Sequence, residues 1–532
     1  MLDKRICGAR IVDGTGRPAY VGDVGIRAGR IVLHPQEEAR QVLNARGLTL
    51  TPGLIDSHSH SDRYLGLDPE VYALCKISQG ITTEVVGQCG SSTFPAPRRG
   101  EGLLQGFFEA PMDEGHLAEI ARFSDFSAYL DYVRAHPMPG NCAFLQGHGM
   151  LRLSVMGREN RKPTPAEMEE MKRRLHDAME HGCLGLSSGL IYVPSVYADT
   201  EELVELCRVI RPYGGIYATH MRSESDHVVE AVREAIAVAR AAGTPLFLSH
   251  HKVCGARNFG ASRETLRLVE AAIADGMRVT MDQYPYAASQ TGLAQCMPPK
   301  YFTRGGAAFA QRLRDPQVRR TVRAEMTEDP PKYNNSYQNA GGFGGILILN
   351  CPGTPEAEGM TIRAYAESIG REEFETYFDL MVRSGCAGSG AFFCMDEQEL
   401  DAIYANPNTV VCTDGCCGSR SGPVHPRSFG SLVRALCRFS KEKGLVSFEE
   451  AVRKETLLTA QRWGLAGKGA IADGMDADLV LMDESSLADR ADYLHPRRLC
   501  DGIEMVFVNG EIVYRDKKLT GARPGRAILR TM

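Results

Sequence analysis

Eight apolar strand-like runs, amphipathic helical runs between them and a β-rich segment at each chain end predict an α/β fold. In this fold the strands close into a (β/α)8 TIM barrel, and the two chain ends form a small β-sandwich domain beside it. The length of 532 residues is large for one domain and agrees with a barrel that carries a second unit.

The predicted barrel strands are apolar runs bounded by turn residues. They occupy residues 53–60, 81–90, 141–149, 182–190, 214–220, 245–251, 278–286 and 409–415. Helical runs separate them, and strands that alternate with helices in this way pair in parallel.

Three of the helical runs carry recognisable boundary residues. The first opens with Thr164, whose side chain can cap a helix, and closes at Gly182. The second opens with Ser225 or Asp226, and the third has Ser262 as its expected cap. These signals place helices after the third, fifth and sixth strands.

The interval between the seventh and eighth strands, residues 287–408, is much longer than an ordinary βα connection. Its first part, about 287–350, is assigned to an insertion because it is rich in Pro, Gly, Asn and Tyr. The insertion is either a lid over the barrel mouth or a plain surface addition. The barrel then spans 52–465, while 1–51 and 466–532 form the small β domain.

The charge balance argues against nucleic acid and membranes as partners. Lys and Arg number 61 against 66 Asp and Glu, a net charge of −5, so no basic field exists to hold either one. The N-terminus has no apolar run of signal-peptide length, and no segment is apolar enough to span a bilayer. The 16 Cys show no paired spacing, which favours a cytoplasmic protein with mostly reduced thiols.

The strongest local feature is His58-Ser59-His60 at the end of the first strand. In a strand the side chains of residues i and i+2 point to the same side, so the two imidazoles converge. Neutral imidazole nitrogen is a favoured zinc ligand. On its own, however, so short a pattern fits a polar strand end with two solvated histidines better than a metal site.

Four further reactive residues end other predicted strands. Cys89 ends the second strand, His220 the fifth, His250 the sixth and Asp414 the eighth. Each alone has a simple structural explanation as a packed histidine, a small buried thiol or a helix cap. Their shared position at the carboxyl ends of the strands, where barrel enzymes gather catalytic groups, favours a metal site instead.

Two other histidines lie close to these strand ends. Strand alternation points His251 away from its neighbour His250, so we predict a structural role for it. His148 follows the third strand and either lines the site or is an ordinary strand-end histidine.

Such a set of residues has the chemistry to hydrolyse an amide. A thiolate at Cys89 and imidazoles at His220 and His250 would supply three zinc ligands and leave the fourth position for water. The metal would lower the pKa of that water and polarise the amide carbonyl. Asp414 could take the proton of the water and deliver it to the leaving amine nitrogen, which must be protonated to depart.

Ordered motifs along nearly the whole chain resemble the N-acyl-D-amino-acid deacylase (D-aminoacylase) branch of the amidohydrolase superfamily. They include RIVDGTGRP, TPGLIDSHSHSD, SQGITTEVVGQCG, GCLGLSSGLIYVPSVYADTEEL, YATHMRSES, LSHHK, YPYAAS, TDG, HPRSFGSLVR and DADLVLMD. Only the region around 290–400 lacks the likeness. The resemblance implies zinc-dependent hydrolysis of the amide bond of N-acyl-D-amino acids, which releases a carboxylate and the D-amino acid.

The resemblance also implies how the metal ligands divide. They would be Cys89, His220, His250, His58, His60 and Asp414. The first three would hold one tight zinc ion, and the last three, with Cys89, would form a second site that is weak or empty. Asp414 would be the general acid/base. Many superfamily members bridge two metals with a carboxylated Lys on the fourth strand, but GCLGLSSGL offers no Lys there, so Cys89 would take the bridging role.

A small molecule, the N-acylated amino acid, is the partner that the resemblance implies. Four side chains would grip its α-carboxylate: Lys252, Arg427, Tyr192 and Tyr284. Arg offers two parallel hydrogen bonds, Lys a point charge and Tyr a hydroxyl donor. The simpler alternatives are surface charges for the two cations and aromatic packing for the two tyrosines.

Two positions depart from the family pattern. Gln88 stands where the family usually has Asn before the bridging cysteine, and the pair Cys416-Cys417 lies close to Asp414. These paired thiols fit incidental reduced cysteines better than an oxidation sensor or a site for stray metal.

Two alternative functions differ from this interpretation. The first is hydrolysis of a D-residue dipeptide or of a cyclic amide, as in dihydroorotase-like or hydantoinase-like enzymes, and a cyclic imide would not need both Lys252 and Arg427. The second is a non-catalytic scaffold, which would not need an intact set of metal ligands.

Overall fold

The computed structural model of the protein describes residues 1–97, 101–104, 107–108, 114–415 and 423–530. Five strands form its N-terminal segment. They are β1 (Leu2–Ile11), β2 (Tyr20–Arg27), β3 (Arg30–Leu33), β4 (Ala39–Asn44) and β5 (Thr49–Pro52). β2 pairs antiparallel with β1, whereas β4 and β5 pair parallel with it, so β1 organises this segment.

Residues 53–286 alternate strands with helices, as the hydrophobic pattern predicts. The strands are β6 (Leu54–Asp56), β7 (Ile81–Val86), β8 (Asn141–Phe144), β9 (Gln146–Gly147), β10 (Gly185–Gly189), β11 (Ile216–His220), β12 (Leu246–Leu248) and β13 (Val279–Gln283). The helices are α1 (Pro69–Tyr72), α2 (Leu74–Ile77), α3 (Glu114–Ile120), α4 (Phe126–Ala135), α5 (His148–Met156), α6 (Pro165–Glu180), α7 (Thr200–Ile210), α8 (Val228–Ala242) and α9 (Ser262–Ala274). The first seven predicted strands are therefore confirmed, and the third is interrupted at Leu145.

The chain between residues 287 and 396 forms a unit of its own. It contains β14 (Ala288–Gly292), α10 (Gly306–Arg312), α11 (Pro316–Met326), α12 (Ser336–Asn339), β15 (Ile346–Asn350), α13 (Ile362–Ser368), α14 (Glu373–Ser384) and β16 (Ser389–Phe393). β16 pairs antiparallel with both β14 and β15, and a separate apolar cluster that includes Phe309, Phe343 and Phe378 packs around this sheet. The central strand thus lies beyond residue 350, so the insertion needs more chain than the expected 287–350.

The next elements complete the barrel. They are α15 (Glu397–Ala405), β17 (Thr409–Val411), α16 (Arg427–Ala435), a π-helical segment (Leu436–Glu442), α17 (Phe448–Glu455) and α18 (Leu457–Trp463). β17 is the eighth predicted strand. No helix within the described ranges combines the length and the apolar character that a bilayer crossing requires.

The barrel strands pair in parallel in two runs that meet at two seams. β6, β7 and β8 form one run, and β9 to β13 with β17 form the other. At one seam the Leu184 N–H donates to the Phe144 carbonyl at 2.8 Å, and at the other Ser59 pairs with Gly415. The predicted (β/α)8 barrel is confirmed, and the carboxyl ends of its strands share one mouth.

Both chain ends contribute to one continuous sheet of nine strands. The C-terminal members are β18 (Leu479–Met482), β19 (Ile503–Val508), β20 (Glu511–Arg515) and β21 (Lys518–Leu519), and β18 pairs antiparallel with β5. A last strand, β22 (Ala527–Ile528), leaves this sheet and pairs parallel with β8 of the barrel. The tail therefore differs from the expected grouping of 466–532 into the terminal domain alone.

The predicted helix boundaries agree with the structure for α6 but not for α8. Thr164 caps α6 in a capping box, since its hydroxyl accepts from the Glu167 N–H and the Glu167 carboxylate accepts from the Thr164 N–H. α8 begins only at Val228 and has no side-chain cap, so the expectation of a cap at Ser225 or Asp226 is wrong.

The start of α9 is capped from outside its own segment. Ser262 is the first helical residue and does not act as the cap that the sequence predicts. Instead the Glu399 carboxylate accepts hydrogen bonds from the backbone N–H groups of Gly260 at 2.8 Å and Ser262 at 3.1 Å. A carboxylate at a helix N-terminus satisfies its unpaired donors and complements the helix dipole.

Candidate metal centre and active site

The Cys89 thiol lies at the centre of three imidazoles. Its Sγ is 3.3 Å from His58 Nε2, 3.3 Å from His250 Nε2 and 3.8 Å from His220 Nδ1. All four side chains are buried, and each comes from the carboxyl end of a different barrel strand. The fold therefore brings together residues that are far apart in the sequence.

Asp414 joins the same cluster from the end of β17. Its Oδ1 lies 3.4 Å from His58 Nε2 and 3.2 Å from His60 Nε2, and its Oδ2 accepts a hydrogen bond from Arg427 at 2.7 Å. Burial raises the pKa of this carboxyl, but the charge of Arg427 and the electrostatic interactions with the neighbouring imidazoles outweigh burial and hold the pKa well below its ordinary value. Asp414 is thus an ionised carboxylate, able to accept a proton.

Three residues of the cluster have backbone torsions in the left-handed region, with φ of 51° for Cys89, 37° for His250 and 47° for Asp414. Such torsions cost about 1–3 kcal/mol each and persist only where the surrounding structure enforces them. At Cys89 the enforcement is close packing, because a Cβ on Gly189 would lie 2.2 Å from the Cys89 carbonyl oxygen. The barrel mouth therefore holds these residues in strained turns.

The donor atoms of this cluster fit a zinc ion. One ligand atom each from His58, Cys89, His250 and Asp414 lie within 4.8 Å of one another, and His220, Glu224 and His250 form an overlapping group. Thiolate, imidazole and carboxylate are the ligand types that zinc takes in proteins.

The protonation states of the imidazoles favour the same conclusion. Burial lowers the pKa of His220 to about 3 and places the pKa of His58 well below its ordinary value. Both rings are therefore neutral, as a metal ligand must be. Within the described residues the buried atoms His58 Nδ1, His60 Nδ1 and His220 Nε2 have no hydrogen-bond partner, so the cluster is not satisfied by protein groups alone.

Glu224 belongs to this centre, although the sequence analysis did not single it out. Its Oε1 is 3.0 Å from His250 Nδ1, its Oε2 is 3.6 Å from His220 Nε2, and it accepts a hydrogen bond from Lys252. A carboxylate near the outer nitrogens of histidine ligands helps to orient the rings, and the 3.0 Å contact with His250 Nδ1 is short enough for a hydrogen bond that selects the tautomer of that ring. The sequence feature that could have identified Glu224 is the presence of an acidic residue four positions after His220, just beyond the end of the strand.

Asp282 is a second carboxylate that the sequence analysis missed. It accepts hydrogen bonds from the His250 backbone N–H and from Ser57 Oγ, the latter at 2.7 Å, and it lies 3.8 Å from His58 Nδ1. Burial raises the pKa of Asp282 to about 7. Asp282 therefore contacts the ends of β6 and β12, which carry His58 and His250.

The cluster opens into a cavity of about 470 Å³. The barrel contributes His220, His250, Asp414, Glu224, Lys252, Tyr192 and Tyr284 to its walls. The insertion contributes Ser289, Gln290, Thr291, Asn334, Ser336, Asn339, Phe392 and Cys394. A substrate in this cavity would therefore touch the reactive cluster on one side and the insertion on the other.

Two of the expected substrate-binding side chains, Lys252 and Arg427, lie beside a third, Tyr284. Lys252 Nζ is 5.5 Å and the Arg427 guanidinium carbon 4.8 Å from the centre of the Tyr284 ring, while the Tyr192 ring packs on His220. Both cations already have partners, because Lys252 bonds to Glu224 and lies 2.8 Å from His250 Nδ1, and Arg427 bonds to Asp414.

The Tyr284 hydroxyl differs from its charged neighbours. It is buried, and within the described residues it has no hydrogen-bond partner. Since its ring lines the cavity between two cations, this unsatisfied hydroxyl is a candidate donor to a bound anion.

Other residues singled out in the sequence lie away from the cavity. His251 Nε2 pairs with Thr265 Oγ1 at 2.9 Å, in agreement with its predicted structural role, and His148 Nε2 pairs with Glu202 at 2.8 Å. Gln88 Nε2 donates to the Ser57 carbonyl at 3.1 Å and ties β7 to β6. Cys416 and Cys417 lie outside the described residues.

The sequence matches proteins of known activity over its full length. Residues 41–321 and 423–514 match the Amidohydrolase family. D-aminoacylase of Alcaligenes xylosoxydans xylosoxydans is 35% identical over 533 residues, which cover 100% of this chain and 98% of that protein.

Two solved structures share the whole fold. The crystal structure of D-aminoacylase matches with a TM-score of 0.83 at 34% identity and covers 100% of both chains. N-acyl-D-glutamate deacylase of Bordetella bronchiseptica, solved with zinc and a phosphonate inhibitor that mimics the tetrahedral intermediate, matches with a TM-score of 0.83 at 32% identity and also covers 100% of both chains.

Proposed function

Because the chain belongs to the amidohydrolase family, we propose that it is a zinc-dependent deacylase, which hydrolyses the amide bond of N-acyl-D-amino acids to a carboxylate and the free D-amino acid. The observation that carries this proposal is the meeting of Cys89 Sγ with three imidazole nitrogens within 3.8 Å, beside an ionised Asp414. The hydantoinase-like alternative is less favoured, since the relatives named above are a D-aminoacylase and an N-acyl-D-glutamate deacylase.

The metal ligands divide between two overlapping positions. Cys89, His220 and His250 would hold the tight zinc ion, because the thiol contacts both rings and Glu224 braces their outer nitrogens. A second position that is weak or empty would use Cys89, His58, His60 and Asp414. When bound, zinc would lower the pKa of a water molecule and polarise the amide carbonyl.

Asp414 moves the proton. Its Oδ2 is held by Arg427, so its Oδ1 faces the imidazoles and the cavity. The ionised carboxylate takes a proton from the attacking water and gives it to the amide nitrogen, which leaves as an amine. Because the pKa of Asp414 is low, its carboxyl is ionised before the reaction and is free to accept the proton of the water.

The α-carboxylate of the substrate would bind beside Tyr284. Burial lowers the pKa of Lys252, but Glu224 together with other neighbouring groups raises it above its ordinary value, so Lys252 stays protonated. Arg427 is charged at any working pH. These two cations attract the carboxylate, and the hydroxyls of Tyr284 and Tyr192 supply neutral donors. A substrate without this carboxylate would lose the attraction.

The insertion would act as a cover over the barrel mouth. Residues of β14, the segment 334–339 and β16 line the cavity opposite the reactive cluster. They would surround the part of a bound substrate that is remote from the scissile bond, and there they would contact the amino-acid side chain. This placement supports a lid over a plain surface addition.

Replacing Tyr284 with Phe is expected to raise KM for N-acyl-D-amino acids by about tenfold to a hundredfold, because a hydrogen bond to a charged group contributes about 1.5–3 kcal/mol. The value of kcat and the zinc content should change little. Steady-state kinetics with metal analysis measures both. Tyr286→Phe is the matched control, since Tyr286 is also buried but does not line the cavity. An equal rise in KM for a carboxylate-free N-acyl amine would contradict this role.

The activity itself is tested by amine release from matched N-acetyl-D and N-acetyl-L amino acids with acidic, apolar and basic side chains. We expect zinc-dependent release from the D series. A dipeptide with a D residue and a five-membered cyclic imide serve as comparators for the alternative substrates. Equal or faster release from the L series would overturn the stereochemical assignment, and faster hydrolysis of the imide would overturn the reaction class.

A further inference from the structure

Two thiols face each other in the wall of the active-site cavity. Cys254 follows β12 in the loop that carries Lys252, and Cys394 follows β16 at the end of the insertion. Their Sγ atoms are 3.4 Å apart, and both residues line the cavity while exposing only 3% and 5% of their surface. The pair therefore joins the barrel to the insertion in the wall of the cavity that the reactive cluster opens into.

The two backbones are held together beside the thiols. The Gly255 N–H donates to the Cys394 carbonyl at 2.8 Å, and the Cys254 N–H donates to the Glu224 carbonyl at 2.7 Å. A disulfide has an S–S length of about 2.05 Å, so the sulfur atoms need to approach by only about 1.4 Å from their present separation. Because the backbones already run side by side, side-chain rotation together with a small shift of the two loops can supply this approach.

We propose that Cys254 and Cys394 are a redox-modification site, at which a peroxide in the cavity forms a reversible disulfide between the barrel and the insertion. One thiolate attacks a peroxide oxygen, so the O–O bond breaks, and sulfenic acid and one water or alcohol result. The second sulfur attacks the sulfenic sulfur, the S–S bond forms, and the hydroxyl leaves as water. In total the two thiols lose two protons and two electrons, which reduce the peroxide to two molecules of water, or to one water and one alcohol.

The environment of Cys394 favours it as the first thiol to react. The hydrogen bond between the two thiols lowers the pKa of Cys394 more than burial raises it, and Ser289 and Lys252 add to this effect. A thiolate is the nucleophile in both steps, and it is reactive only where small molecules have access. Cys394 lines the cavity and so meets the requirement for access, and its lowered pKa favours the thiolate form.

The disulfide would change the active site through two short connections. Cys254 is two residues from Lys252 and is hydrogen-bonded to the backbone of Glu224, which braces His220 and His250. On the other side, Cys394 anchors the wall formed by β16. The cross-link would therefore fix the insertion against the barrel and displace the residues that orient substrate.

The test begins with the reduced, zinc-loaded full-length protein, which is treated with hydrogen peroxide and mapped by non-reducing peptide mass spectrometry. We expect one cross-linked peptide pair that contains Cys254 and Cys394 and is lighter by two hydrogen atoms than the separate peptides. A dithiol reductant should reverse it. Absence of this cross-link, or oxidation at Cys89 alone, would overturn the proposal whether or not the protein is a deacylase.

The second readout is turnover of the preferred N-acyl amino acid before oxidation, after oxidation and after reduction. We expect oxidation to lower turnover by about tenfold or more, since a displacement of about 1 Å at an active site can cost about a hundredfold. Cys394→Ser should abolish both the cross-link and the reversible loss. Cys351→Ser is the matched control, because Cys351 is a buried thiol of the insertion that does not line the cavity. Full turnover in the cross-linked protein would disprove the effect on the active site.

Discussion

Asp414→Asn is expected to lower kcat by about 10²–10⁴-fold, the contribution that a positioned general acid/base makes to such reactions. Asn has nearly the same shape and can still accept the hydrogen bond from Arg427, but it cannot take a proton from water. The proposed ligands of the tight zinc ion, Cys89, His220 and His250, are untouched, so zinc content should stay near that of the wild type. Steady-state kinetics and metal analysis of the same preparation separate the two effects.

The control for this variant is another carboxylate paired with an arginine. Asp489 lies 3.2 Å from Arg434 and does not line the cavity. Asp489→Asn should therefore keep its turnover within about twofold of the wild type, because a substitution away from the active-site cavity usually has a small effect. If Asp414→Asn kept full activity, Asp414 would not be the proton carrier. If it lost zinc in proportion to activity, its main role would be that of a ligand.

Cys89→Ser is expected to abolish tight zinc binding and, with it, hydrolysis. The Cys89 sulfur is the only atom that contacts three of the imidazoles at once among the described residues, at 3.3, 3.3 and 3.8 Å. A Ser hydroxyl stays protonated near neutral pH and is a much poorer zinc ligand than a thiolate. Loss of a residue that only hydrogen-bonds to a metal ligand lowers metal affinity by about 10–100-fold. Because Cys89 would be a ligand itself, we expect its replacement to lower zinc affinity by more than this.

Competition with a chelator, followed by metal analysis, measures this loss independently of activity. The matched control is Cys142→Ser, a fully buried thiol on the neighbouring strand β8 that does not line the cavity. This control should retain zinc, even where the buried hydroxyl lowers the thermal midpoint. Wild-type zinc affinity in Cys89→Ser would refute the assignment of the thiolate as the central ligand.

The barrel strands could be predicted from the sequence because barrel strands are buried on both faces. β7, β10, β11 and β13 are buried almost throughout, so they read as continuous runs of small and apolar residues between turns. The position of the reactive residues follows from the same fact, since the carboxyl ends of all eight strands share one mouth. The four residues placed at those ends by the sequence do meet there in the structure.

Interactions between distant segments could not be predicted in this way. The cap of α9 comes from Glu399, which is 137 residues beyond Ser262, and no local pattern announces it. The central strand of the insertion, β16, follows two helices and is not adjacent in sequence to either of its partners. Local patterns carry information about spacing along one element, not about which element packs against it.

The sequence by itself determined the barrel, the family resemblance and the types of ligand at the strand ends, because these depend on periodicity and on residue order. Only the tertiary structure decided that Glu224 and Asp282 brace the histidines, that Lys252 and Arg427 are already paired with carboxylates, and that Cys254 faces Cys394. Those relations arise where separate loops converge at the mouth, and their distances depend on how the strands close into a ring. The order of residues along the chain does not contain these contacts, because they form only when the strands close into the barrel.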